Sequence, residues 1–170
     1  MSEHTLRRLA DLERRTEHDR VQSGTSAVIA ARAATGSGQS IANATFTIVD
    51  YGTVTFDTHA RITTGAAWKF TAALAGYYQV HASILFALTA TWAASEAGVV
   101  FLYKNGTLVS ALDRKDNFSG ATAQHMYLHG SDVTVLAVND FIDMRVFQNS
   151  GAALALHPDG AYNYVSIARV

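Results

Sequence analysis

His125 and His129 stand four residues apart, with Asp132 three further on, and these side chains come nearest to a ligand set in this chain. Two imidazoles and a carboxylate are ordinary zinc donors, and an even spacing on a strand puts both histidines on one face. Closing such a site would take Asp132 and a ligand from a neighbouring subunit. The alternative is a pair of surface or interface histidines bonded to backbone, and no metal is expected. Nucleophilic catalysis would need a serine, a histidine and an acid brought together; the seven histidines supply candidates, but no Gly-x-Ser-x-Gly signature accompanies them. Asp113, Asp116, Asp132, Asp140, Asp143 and Asp159 fall mostly at strand ends or beside Gly and Asn, where carboxylates accept bonds from turn backbone. No calcium-loop spacing joins them. The chain has no cysteine, which excludes disulfides and thiolate metal sites. No catalytic residue and no cofactor is expected, and the chain reads as a non-enzyme.

The aromatic side chains carry more. Tyr77, Tyr78, Phe86, Phe101, Tyr103, Tyr127, Phe141, Phe147, Tyr162 and Tyr164 are spread over successive strand-like runs and are expected in a core or a subunit interface, which large aromatics dominate. Trp92 precedes Gly98 in an alanine-rich run, Ala87–Ala97, that reads as a loop because Thr89, Thr91 and Trp92 are poor helix formers. It is the expected exposed contact residue, since tryptophan is enriched at binding hot spots.

What must position these residues follows from length and pattern. A chain of 170 residues holds one well-buried domain and a tail. Net charge is −1 and 16% of residues are charged, so the basic footprint of a nucleic-acid binder is missing. With 49% hydrophobic residues, the surface should carry apolar area that a homo-oligomer would cover. No run of about 18 or more apolar residues spans a membrane, and the charged start, MSEHTLRRLADLERRTEHDR, lacks the apolar stretch of a secretory signal. Any extracellular role is therefore expected to be reached by a route other than an ordinary signal peptide, of which release by cell lysis is one.

Three segments are expected. Residues 1–22 favour a short helix, with Leu6, Leu9 and Leu12 among arginines and acids as a candidate particle anchor; the pattern lapses too early for a sustained coiled coil. Residues 23–44 are rich in Ala, Ser, Thr and Gly and read as a flexible linker, so that deletion of everything before Ala44 is expected to leave the head folded. Residues 45–170 should be almost wholly β, with strands at Phe46–Val49, Thr53–Phe56, Trp68–Phe70, Gly76–Leu88, Gly98–Lys104, Thr107–Asp113, Thr122–His129, Val133–Val138, Phe141–Asn149 and Tyr162–Val170. Asn105-Gly106 marks a two-residue hairpin turn, because both residues tolerate positive φ.

With these strands placed, residues 46–170 resemble the C1q/tumour-necrosis-factor-like jelly-roll superfamily in the form found in bacterial and bacteriophage proteins. The resemblance rests on Phe70 followed by Leu74-Ala75-Gly76-Tyr77-Tyr78-Gln79-Val80, on Val99-Val100-Phe101-Leu102-Tyr103-Lys104-Asn105-Gly106, on Leu136-Ala137-Val138-Asn139-Asp140-Phe141-Ile142, and on the closing run Tyr162 to Val170. Asn139 replaces the usual glycine of the third motif, which asparagine's access to left-handed backbone angles permits. No collagen-like stem is present. The resemblance implies an all-β, ten-strand, two-sheet jelly roll assembled as a homotrimer. It further implies a structural or adhesive bacteriophage virion component: a knob on a tail fibre, baseplate or tail-associated appendage that contacts a host-surface glycan or protein, held to other virion proteins by the N-terminal segment. A capsid decoration or head fibre is the first alternative, and a particle-borne glycan hydrolase the second. A glycosidase would need two carboxylates facing across a groove, whereas the acids sit in turn contexts.

Overall fold

The computed structural model describes residues 28–120 and 122–170. The expected helix over residues 1–22, with Leu6, Leu9 and Leu12, lies outside them, as do the first residues of the expected linker. The described chain is all β. In chain order its strands are β1 (Ala30–Ala34), β2 (Ser40–Ile41), β3 (Thr47–Ile48), β4 (Thr53–Asp57), β5 (Ile62–Thr63), β6 (Lys69–Thr71), β7 (Gly76–Leu85) and β8 (Thr91–Trp92). They continue with β9 (Ala97–Lys104), β10 (Thr107–Asp116), β11 (Thr122–Ala123), β12 (Tyr127–Leu136), β13 (Phe141–Gln148), β14 (Leu154–Ala155) and β15 (Tyr164–Arg169).

Two antiparallel sheets face each other. The first has five strands in the order β12-β7-β15-β1-β4; the second has six, in the order β10-β9-β13-β6-β5 with β3 also on β13. Strands distant in sequence lie side by side in both, the two-sheet sandwich that the strand pattern predicts and the jelly-roll arrangement that the resemblance implies. Tyr78, Val80, Ala82 and Ile84 alternate inward from β7, and Val100 and Leu102 meet them from β9, as period-two strands with one buried face require. Tyr51, Trp68 and Phe70 fill the far end of the same core.

The turn expected at Asn105-Gly106 is present, with φ of 50° and 78° joining β9 to β10. Asp140 locks it: its carboxylate accepts from Lys104 Nζ (2.9 Å), Asn105 Nδ2 (2.7 Å) and the Ala137 amide (2.8 Å). These donors hold the Asp140 carboxyl at about 2, below its ordinary range. Asn139 has φ of 70°, the left-handed angle for which asparagine is suited.

Two expectations fail. The segment read as a flexible linker is, from residue 28 onward, part of the sandwich: β1 lies between β15 and β4, with Ile29, Ala31, Ala33 and Ile41 buried. The alanines of β1 give its two faces almost no contrast, so composition alone misreads it. The runs Thr122–His129 and Val133–Val138 regroup into β11 and one ten-residue strand, β12.

At the edge shared by the two sheets, β10 and β12 come into contact through a glycine. A Cβ on Gly130 would stand 2.2 Å from the Leu112 carbonyl oxygen. Ser110 Oγ donates to Asp132 Oδ2 (2.7 Å), and the His129 amide donates to Asp113 Oδ2 (3.0 Å), joining the sheets there.

Candidate functional site

The outward face of the five-stranded sheet is the feature most unlike an ordinary protein surface. β12 shows why. Its inward positions are Leu128, Gly130, Asp132, Thr134 and Leu136, while Val133 and Val135 point out and are 52% and 54% exposed. Gly130 and Asp132 are needed for the contact with β10, so the usual apolar-in, polar-out rule is partly inverted along this strand.

Strand register builds the rest of the face in rows. Val135 pairs Tyr77, and Val133 pairs Gln79, which pairs Ala168, which pairs Ala30. The next row runs Ser131, His81, Ser166, Arg32 and Phe56; a further one runs His129, Ser83, Tyr164 and Ala34. Tyr77, Phe56 and Tyr162 are exposed large side chains on or beside these rows. Arg32 is the one formally charged side chain in the rows, and no carboxylate lies in them. At about 4.8 Å per strand and 3.3 Å per residue the face is roughly 19 Å wide and narrows from about 30 Å along β12 and β7 to about 13 Å along β1 and β4, on the order of 400 Å². That is about half of the roughly 800 Å² each partner contributes to a standard interface.

The polar groups on the face are organised around Tyr164. The Arg32 guanidinium carbon lies 3.7 Å from the centre of that ring, and Arg32 NH1 donates to Ser166 Oγ at 2.9 Å. The Tyr164 hydroxyl is 3.4 Å from His81 Nε2, and the two rings are 5.7 Å apart. Burial, then His129, then Arg32, push the His81 imidazole below its ordinary range.

Two depressions mark the face. One, of about 210 Å³, is lined by Leu85, Leu88, His125, Tyr127, His157 and Tyr162; the other, of about 310 Å³, includes Phe56, Gln79, His81 and Ser166. Asn163 pins the first. Its buried amide accepts from the Leu85 amide (2.7 Å) and donates to the His157 carbonyl (2.5 Å).

The expected site residues fare differently. Trp92 is fully buried, its ring edge-to-face with Phe86 at 5.1 Å, and so cannot be the exposed contact. Residues 91–92 pair with β11, and Asn117 Nδ2 donates to the Trp92 carbonyl at 2.6 Å, turning the loop inward. The exposed aromatic of this region is Phe118, at 88%, on a base held by Asn117, which accepts from Ser119 N and Gln124 Nε2. A lone phenylalanine between Asn117 and Ser119-Gly120 was the available signal for it. His125 precedes β12, whereas His129 stands on it against Tyr127, and Asp132 turns toward Ser110. The three do not converge, and among the described residues no group of three or more His, Asp or Glu side chains is arranged to hold a metal. Of the aromatics expected in core or interface, Tyr78, Phe86 and Tyr103 are buried; Tyr77 and Tyr162 are exposed on or beside the open face.

No protein-family profile and no curated protein sequence matches the chain. Solved structures do. Eiger TNF from S. frugiperda superposes with a TM-score of 0.63 at 10% identity, covering 84% of this chain and 92% of that one. Murine APRIL at pH 8.0 gives 0.57 at 14% identity, and at pH 5.0 gives 0.56 at 15%; each covers 84% of this chain and 99% of the other. The chain therefore has the TNF-like jelly-roll fold.

Proposed function

We propose that the chain is a non-enzymatic assembly and binding head that forms a homotrimer through the open face of its five-stranded sheet. The observation that carries this reading is a face in which Val133, Val135, Tyr77 and Phe56 are exposed and, among the described residues of its cross-strand rows, Arg32 is the one formal charge. Burying such a face is favourable at about 25 cal/mol per Å² of apolar area, with few charges to desolvate. We further propose that the trimer serves a bacteriophage particle as a tail-fibre, baseplate or tail-associated knob, with residues 1–22 joining it to other virion proteins. In this reading Phe118, in the role first given to Trp92, makes the host contact, and threefold repetition multiplies weak contacts by avidity.

Light scattering at micromolar concentration should return a mass near three times 18.3 kDa. Replacing both Val133 and Val135 by lysine should leave a folded monomer, because both side chains are already half exposed in the single chain. A monomeric wild type, or a double-lysine variant that stays trimeric, would sink the interface. The particle assignment is checked separately by probing purified virions with an antibody against the head; its absence from particles would remove that part.

A further inference from the structure

The open face carries a charge imbalance that depends on pH. This inference rests on the face being covered in the assembly. His81 lies near its middle, with Ser131 and Ser166 directly beside it and Arg32 one strand beyond Ser166. The charged and titratable groups facing it are His129 from β12, Tyr164 from β15 and Arg32 from β1; β4 contributes Phe56. The acids beside β12 are engaged at the sheet edge: Asp113 accepts from the His129 backbone, and Asp132 is turned to Ser110. No carboxylate therefore stands in the rows to balance a second cation.

We propose that His81 makes the assembly acid-labile: covering the face requires a neutral imidazole, and its protonation beside Arg32 and His129 drives the copies apart. Tyr164 is the coupling element. Its ring already carries Arg32 on one side, and its hydroxyl meets His81, so an imidazolium would share one aromatic group with a guanidinium. The sign is consistent with the single chain. An imidazole held below its ordinary range in the folded state binds fewer protons than the unfolded chain, so stability falls as pH drops through about 6.5 and levels off below the folded value. Covering the face removes more water and extends that window downward. An assembly that needs a neutral His81 is therefore penalised progressively as the pH falls through the imidazole's value in the free head, which lies below its ordinary range.

The test is the dissociation constant of the full-length chain against pH, from 7.5 to 5.5, by light scattering, with circular dichroism following the fold. Three imidazoles that take up protons on separation give a slope approaching three, a change of up to about a thousandfold per pH unit. His81→Gln and His81→Phe, two uncharged replacements of different size, should each flatten the slope whatever their affinity at pH 7.5. A trimer unchanged in affinity down to pH 5.5 would overturn the acid device and leave the interface standing. So would variants that keep the wild-type slope. A chain already monomeric at pH 7.5 would overturn the interface itself, and this inference with it.

Discussion

Deleting residues 1–44 should unfold the domain, whereas a chain that begins at Val28 should keep both sheets. β1 is an inner strand of the five-stranded sheet, in register with β15 from Ala30↔Ala168 to Ala34↔Tyr164 and with β4 on its other side. Its loss strands β4 with no neighbour and exposes the edge of β15. It also removes Ile29 and Ile41, both essentially fully buried, which together contribute about 3–6 kcal/mol. A domain of this size has only about 5–15 kcal/mol in hand, and the lost ladder bonds add to the deficit. Circular dichroism and a urea transition on the two truncations decide the matter. A cooperative transition in the shorter chain would return residues 28–44 to the status of a linker.

Gly130→Ala should lower stability by about 3 kcal/mol or more, since overpacking against unyielding atoms sits at the top of the usual 1–3 kcal/mol range. The obstacle is backbone: the Leu112 carbonyl oxygen at 2.2 Å and its carbon at 2.8 Å, so no side-chain rotation relieves the clash. β10 and β12 would have to separate, breaking the bonds from Ser110 to Asp132 and from the His129 amide to Asp113. Ser131→Ala, on the outward face next door, is the control and should stay within about 0.5 kcal/mol of wild type. A Gly130→Ala midpoint equal to that control would show that the two strands tolerate more space. Because β12 also presents Val133 and Val135, a displaced β12 should weaken the proposed assembly as well as folding.

How much of this could be read in advance varies by element. The β9–β10 hairpin was plain because its signal is local: Asn105 and Gly106 both take positive φ between two strongly apolar runs. The strands β7, β13 and β15 were legible for a related reason, alternation along much of their length between a buried and an outward side, and β9 as an unbroken apolar run from Val99 to Tyr103 that is buried at most of its positions. β1 was not. Ala30-Ala31-Arg32-Ala33-Ala34 has almost no contrast between its two faces, and only partners at opposite places in the chain, β15 and β4, make it a strand. Trp92 failed because its environment is likewise non-local: Phe86 and Asn117 draw the loop inward, and exposure cannot be read from residue type.

The amino-acid sequence by itself determined an all-β sandwich, its principal hairpin, and the absence of cysteine chemistry. These rest on period-two patterning and turn residues, which act over a few positions. Tertiary structure decided which apolar side chains face water. Val133 and Val135 lie in a run that the pattern shows only as a strand; the approach of β10 at Gly130 and Asp132 sets the orientation of β12 and turns them out. Likewise, Arg32, His81 and Tyr164 are far apart in the chain and form one cluster only because cross-strand pairing stacks β1, β15 and β7 in register.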